Sequence, residues 1–141
     1  MKFLSSDSYG VKELAKLCID DHLYQNIAWT LHRCYTDIIN HPEMYKYTKL
    51  IILQNDDGEN VGVVYHNEEY CERYFGTTAQ IFVKPEHRTK GYGKMLYNQL
   101  NRELIRDEFS GTLFVGYGIT GSYDFWNKMS KCADSLPLII E

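Results

Sequence analysis

The chain has 141 residues and a mass of 16.5 kDa; it is 44% hydrophobic and 24% charged, with a formal net charge of -4. This is the size of one ordinary domain, taken as 1–141, able to bury a core without disulfides or a structural metal, and the composition excludes bulk disorder, a collagen-like repeat and a coiled-coil rod. No run of about 18 apolar residues occurs, so no helix is expected to span a membrane, and an acidic chain is poorly suited to the phosphate neutralisation that drives non-specific nucleic-acid binding.

Met1 to Ser5 reads as a short first strand. It lacks the apolar block of a signal peptide, which makes the cytoplasm the expected location. Ser6 to Ser8 offer capping side chains, and Val11, Leu14, Ala15 and Cys18 follow at helical spacing. A second helix is expected from Asn26, with Ile27, Leu31, Tyr35 and Ile38 on one face and a stop at Asn40-His41-Pro42. The period then changes. Lys49–Leu53 is a strand, Asn55-Asp56-Asp57-Gly58 a hairpin turn, and Val61–Tyr65 the returning strand. Thr77–Val83 is another strand, ended by Lys84-Pro85, and a strong helix runs from Gly93 to Glu108 on Leu96, Leu100 and Leu104. Thr112–Tyr117 is the next strand, Ser122–Cys132 a short helix, and Leu136–Ile140 a last strand placed at an edge by Pro137. The order β-α-α-β-β-β-α-β-α-β is α+β or mixed α/β. Its first part is antiparallel, and the strand-helix-strand unit from Thr77 to Tyr117 should be parallel and right-handed.

The cysteines stand at 18, 34, 71 and 132, with no CxxC pair, and read as reduced, buried thiols. His22, His32, His41, His66 and His87 are scattered, so no metal site is expected. Charge is uneven: residues 1–75 hold 7 Lys/Arg against 12 Asp/Glu, and residues 76–141 hold 8 against 7. An anion site is therefore sought in the second half.

The stretch Val83-Lys84-Pro85-Glu86-His87-Arg88-Thr89-Lys90-Gly91-Tyr92-Gly93-Lys94 supplies one. A strand ends, a polar loop follows, and two glycines stand where a helix begins. Helix-start N–H groups and the macrodipole favour an anion, and glycines let it approach the backbone. Lys84, Arg88, Lys90 and Lys94 surround the turn, opposed by Glu86. The spacing is neither a Walker A loop nor the dinucleotide fingerprint, since Leu96 stands where the third glycine belongs. The plain alternative is a tight strand-to-helix turn with a solvated basic rim.

Arg88-Thr89-Lys90-Gly91-Tyr92-Gly93 resembles the R/Q-x-x-G-x-G/A loop of the GNAT superfamily of N-acetyltransferases. Ile81–Glu86 is similar to that family's strand lead-in, and Phe125-Trp126-Asn127-Lys128-Met129 to its later F/L-Y-x-K-x-G helix. The element order matches from about residue 2 to 140. The resemblance implies a mostly antiparallel mixed sheet with helices on both faces, whose fourth and fifth strands splay apart. It implies acetyl-CoA as co-substrate, with no metal. Backbone N–H groups of Arg88, Thr89, Lys90, Gly91, Tyr92, Gly93 and Lys94 would hold its pyrophosphate, and the backbone of Ile81, Phe82 and Val83 would pair with its pantetheine arm. Gly116 and Gly118 would suit the gap after the fifth strand, or simply end it.

The implied reaction is direct attack by a primary amine, a protein lysine or α-amine or a small amine, with a base taking its proton and a tyrosine protonating the leaving thiolate. Here the sequence departs from the family. No acid stands at Thr77, Thr78, Ala79 or Gln80, leaving Glu68, Glu69 and Glu72 as candidate bases, each also readable as a loop charge. Trp126 stands at the usual tyrosine position, so Tyr123, three residues earlier, is the expected acid. Tyr24, Trp29, His32 and Tyr35 would belong to the acceptor wall. The alternative is a non-catalytic CoA-binding module of the same fold. No nucleic-acid or membrane partner is expected, and the oligomeric state is left open, a homodimer included.

Overall fold

The computed structural model describes residues 1–23, 40, 47–67, 79–115, 122–131 and 135–140, with the backbone alone for 114, 122 and 123. The expected helix from Asn26 lies outside the described residues, apart from Asn40, as do Cys34, Cys71 and Cys132. The elements are β1 (Lys2–Ser5), α1 (Ser6–Tyr9), α2 (Val11–Asp20), β2 (Lys49–Gln54), β3 (Asn60–His66), β4 (Ala79–Val83), a 3-10 turn (Pro85–His87), α3 (Tyr92–Arg106), β5 (Leu113–Val115), α4 (Ser122–Ser130) and β6 (Leu138–Ile140).

Strands β1 to β4 form one antiparallel sheet in chain order. Side chains alternate across it. Leu50, Ile52, Val63 and Tyr65 pack with Leu14, Ala15 and Cys18 of α2. Ile51, Leu53 and Val64 pack on the other face with Leu96, Leu100 and Leu104 of α3. The fold is thus mixed α+β with helices on both faces. The three leucines of α3 are fully buried, each worth about 2 kcal/mol of apolar burial. Gly62 admits α3 to this face, since a Cβ there would lie 2.9 Å from Leu96 Cδ1 and 3.1 Å from the Phe82 carbonyl. The register slips between Leu53 and Gln54, and this irregularity turns Val61 toward the α3 side although Val63 faces α2.

Two local expectations are corrected. Ser5, not Ser6 to Ser8, caps the first helix, its Oγ accepting from the Asp7 N–H at 3.3 Å. Gly10, at φ +85°, then breaks α1 from α2, because only glycine adopts that conformation without strain. Ser6 Oγ instead accepts from the Leu50 N–H at 3.1 Å, pinning the helix start to β2. The strand-helix-strand unit expected to be parallel and splayed is β4, α3 and β5. Strands β4 and β5 share no ladder among the described residues; the parallel ladder present joins β5 to β6, pairing Leu113 with Leu138 and Val115 with Ile140. The absence of that ladder among the described residues agrees with the splay that the resemblance implies. Pro137 precedes β6, and its carbonyl accepts from the Leu113 N–H at 2.8 Å.

A charged cluster fastens the far end of α3. Lys49 is 3% exposed, and its Nζ donates to Asp7 Oδ1 at 2.8 Å and Asp107 Oδ2 at 2.5 Å. Arg106 joins the same two aspartates from the surface. Burial opposes ionisation of Asp7, but Lys49 and Arg106 outweigh it and hold its carboxyl down at about 2. Beside them Glu103 is buried, which pushes its carboxyl above the usual range, and it accepts from Ser5 Oγ at 2.6 Å.

His66, at the end of β3, is fully buried and meets the Phe109 ring edge-on at 5.2 Å. Its Nδ1 donates to the Tyr47 carbonyl at 2.7 Å, and Nε2 has no partner among the described residues. Burial, reinforced by Lys49, pushes the imidazole down from 6.5 to about 4. A folded-state value below the unfolded one gives stability that is complete above 6.5 and lost as pH falls toward 4. Acidification across that window should therefore cost about 3 kcal/mol through this residue alone. Urea titrations from pH 7 to 4 check this by difference: His66→Leu should show a shallower decline than the native chain. Parallel declines would show that the ring does not titrate with unfolding.

Candidate functional site

The site begins at the outer edge of β4, the last strand of its sheet. Val83 lies opposite Gly62, and the Lys84 N–H donates to the Val61 carbonyl at 2.9 Å. That bond marks 83–62 as a non-hydrogen-bonded pair, so 82–63 is a hydrogen-bonded one and 81–64 again is not. Phe82 therefore spends its N–H and C=O on Val63, while Ile81 and Val83 turn theirs away from β3. The expectation that all three offer backbone to a ligand is corrected to two. Phe82 contributes its side chain, packed toward α2.

The chain then turns tightly into α3. Thr89 takes φ +67°, an uncommon conformation for a β-branched residue, and Gly91 takes φ +82°. Gly91 is the N-cap of α3; its carbonyl accepts from the Met95 N–H at 3.1 Å, and no side chain caps the helix. No acidic residue stands in the first turn. The N–H groups of Tyr92, Gly93 and Lys94 have no acceptor within the helix and form a site for negative charge.

The two glycines serve different ends. Gly91 is required by its positive φ, and a Cβ there would meet nothing within 4 Å. A Cβ on Gly93 would lie 3.1 Å from Phe125 Cε2. The missing side chain at 93 thus admits an aromatic ring from α4 on its Cβ side.

A groove of about 570 Å³ joins these parts. One wall is Ile81, Phe82 and Val83; the turn and helix start contribute His87, Arg88, Thr89, Gly91, Tyr92, Gly93 and Lys94; α4 supplies Phe125, Trp126, Lys128 and Met129 opposite. Every expected site residue with a described side chain lines it except Lys90, which is exposed outside. Lys84 does not line it either, for its Nζ donates to Asp21 at 3.1 and 3.2 Å. The cations of the lining are Arg88, Lys94 and Lys128. His87 lies 3.1 Å from Glu59 Oε1 at the surface, and hydrogen bonding to the ring holds the Glu59 carboxyl below its ordinary range.

Sequence reasoning gave Phe125, Lys128 and Met129 no role in the site, although 125, 128 and 129 fall at helical spacing on one face of α4. Trp126 is 4% exposed, edge-to-face with Tyr97 at 5.8 Å and with Phe125 at 5.0 Å, as a packing residue should be. Helix α4 starts at Ser122, which puts position 123 in its first turn, but the Tyr123 side chain lies outside the described residues. So do Glu68, Glu69, Glu72, Gly116, Gly118 and the expected acceptor wall of Tyr24, Trp29, His32 and Tyr35. The described part of the groove is an open strand edge, an uncapped helix start and an apolar wall, an arrangement that can seat an extended, partly apolar ligand bearing an anion at one end.

A family model described as an acetyltransferase (GNAT) domain matches residues 47–123, more than half of the chain. The matched stretch runs from β2 through the turn and α3 to the first turn of α4. No curated protein matches the chain.

Proposed function

Because the chain belongs to the GNAT acetyltransferase family, we propose that it moves an acetyl group from acetyl-CoA to a primary amine, on a protein or a small molecule, in the cytoplasm. The observation that carries this reading is the meeting, in one groove, of the outward backbone of Ile81 and Val83 with the uncapped start of α3. Tyr92, Gly93 and Lys94 would bind the pyrophosphate through their N–H groups, with Gly91 shaping the turn. Ile81 and Val83 would pair with the amides of the pantetheine arm as with an added strand, and Phe125 and Met129 would cover its apolar side. Acetyl-CoA supplies an activated thioester.

Acetyl transfer forms a C–N bond and breaks the C–S bond. The attacking amine must be neutral, so its proton goes to water or to a carboxylate, for which Glu68, Glu69 and Glu72 are the candidates. No carboxylate lines the described part of the groove. Tyr123, in the first turn of α4, would donate its proton to the leaving thiolate.

The test is release of free CoA thiol from acetyl-CoA across a panel of amines, beside the thermal shift given by acetyl-CoA alone. Amine-dependent release above background supports transfer. A clear shift with no release for any amine would leave a CoA-binding module without transferase activity. Tyr123→Phe should lower turnover about 100-fold, the low end for general-acid help because a thiolate leaves readily, with acetyl-CoA affinity nearly intact. Full activity in Tyr123→Phe at every pH would assign the proton to water.

A further inference from the structure

Arg88 stands in the basic turn, where its charge would ordinarily be assigned to the ligand's phosphates. Its side chain does something else. Nε donates to the Val83 carbonyl at 2.9 Å, and the guanidinium lies 5.4 Å from the centre of the Phe82 ring. Both contacts reach back onto the end of β4, across the 3-10 turn, five and six residues along the chain. The Val83 carbonyl is one of the groups that the register of β3 and β4 turns outward, toward the groove. Arg88 therefore occupies part of the edge on which a strand-like ligand would pair. It also joins the two ligand-binding parts, strand edge and turn, by a side-chain bond rather than by chain connectivity alone.

We propose that Arg88 is a positioning residue. Through Nε it fastens the turn to β4, setting the distance from the strand edge to the anion site. It also takes one of the two acceptor positions of the Val83 carbonyl, so that a bound pantetheine arm shares that carbonyl with Arg88 and pairs otherwise with Ile81 N–H, Ile81 C=O and Val83 N–H. This rests on the acetyl-CoA reading above for its ligand, but not for the fastening itself. The geometry separates this role from that of a phosphate-binding cation. The glutamine side chain places its amide nitrogen at the same chain position as Nε, with no charge; lysine keeps the charge one atom farther out and has no donor at that position.

The test is the CoA dissociation constant of the native chain, Arg88→Gln and Arg88→Lys, each at low and moderate ionic strength, beside amide hydrogen exchange of residues 84–91 without ligand. The expected result is a crossing. Arg88→Gln stays within about 3-fold of the native constant and keeps amide protection in the turn, while Arg88→Lys weakens CoA about 10-fold and loses protection, as removal of one hydrogen bond would. The opposite order, with Lys near native and Gln weak and less sensitive to salt, overturns the proposal and makes Arg88 a phosphate ligand. Should the native chain bind no CoA, the acetyl-CoA reading falls, and exchange alone decides the fastening: protection lost equally in both variants, or in neither, overturns it.

Discussion

Gly91→Asp should abolish the rise in melting temperature that acetyl-CoA produces, with affinity lowered at least about 100-fold. The fold should survive the change. No atom lies within 4 Å of the added Cβ, and at φ +82° Asp is among the better tolerated of non-glycine residues. The strain costs about 1 kcal/mol of stability. The carboxylate, however, would stand at the N-cap of α3, where the proposed pyrophosphate would sit. Two unit charges about 4 Å apart repel by about 4 kcal/mol at an effective dielectric near 20, which exceeds the two factors of ten asked of it. Gly91→Asn, of the same shape without the charge, should bind within a few-fold of the native chain. Gly93 is the wrong place for this test, because a Cβ there would press on Phe125 at 3.1 Å and mix a packing change with the effect of charge. An undiminished thermal shift in Gly91→Asp would remove the anion from the start of α3.

The double variant Asp7→Ala with Asp107→Ala should lose about 3–5 kcal/mol of stability, the usual cost of leaving a buried charge without its partner. Lys49 is 3% exposed and draws on both aspartates. Adding Lys49→Met to the double variant should recover much of the loss, since an apolar chain of similar length can fill the same space with no charge to compensate. A double variant as stable as the native chain would show that water reaches Lys49. This cluster links α1, β2 and the end of α3, so its loss should also loosen the far end of the helix whose near end is the proposed anion site.

The sheet and the long helix were legible because their patterns are local. Lys49–Gln54 and Asn60–His66 are apolar runs either side of a turn signal, which suits strands buried on both faces, and the 96-100-104 leucine stripe predicts one buried helix face. The turn at 88–93 was legible from its glycines, and the family resemblance drawn from it agrees with the match over 47–123. What escaped depends on partners distant in sequence. Nothing near Lys84 says that Asp21 takes its charge. Nothing near Gly93 says that a ring 32 positions later needs the space. That Phe82 spends its backbone on β3 while Ile81 and Val83 do not follows only from the pairing register, which strands with no polar–apolar alternation do not specify by their pattern.

That no strand pairs with the outer edge of β4 among the described residues has a second consequence, for solubility. Ala79-Gln80-Ile81-Phe82-Val83 carries no charge and no proline, the composition of a segment that recruits a copy of itself when its edge is bare. Natural edges are blunted by lysines, prolines or bulges, and none lies within β4. Its protection is instead spatial. The edge of 81 and 83 lies in a groove walled by Phe125, Trp126 and Met129, with Lys84 and Pro85 directly after it. We expect a slender chain to enter there more readily than a whole strand of a second molecule with its flanking side chains. Changes that loosen α4 should therefore show first as self-association on standing or mild heating, at temperatures where the sheet itself is still folded, and a ligand that fills the groove should suppress it.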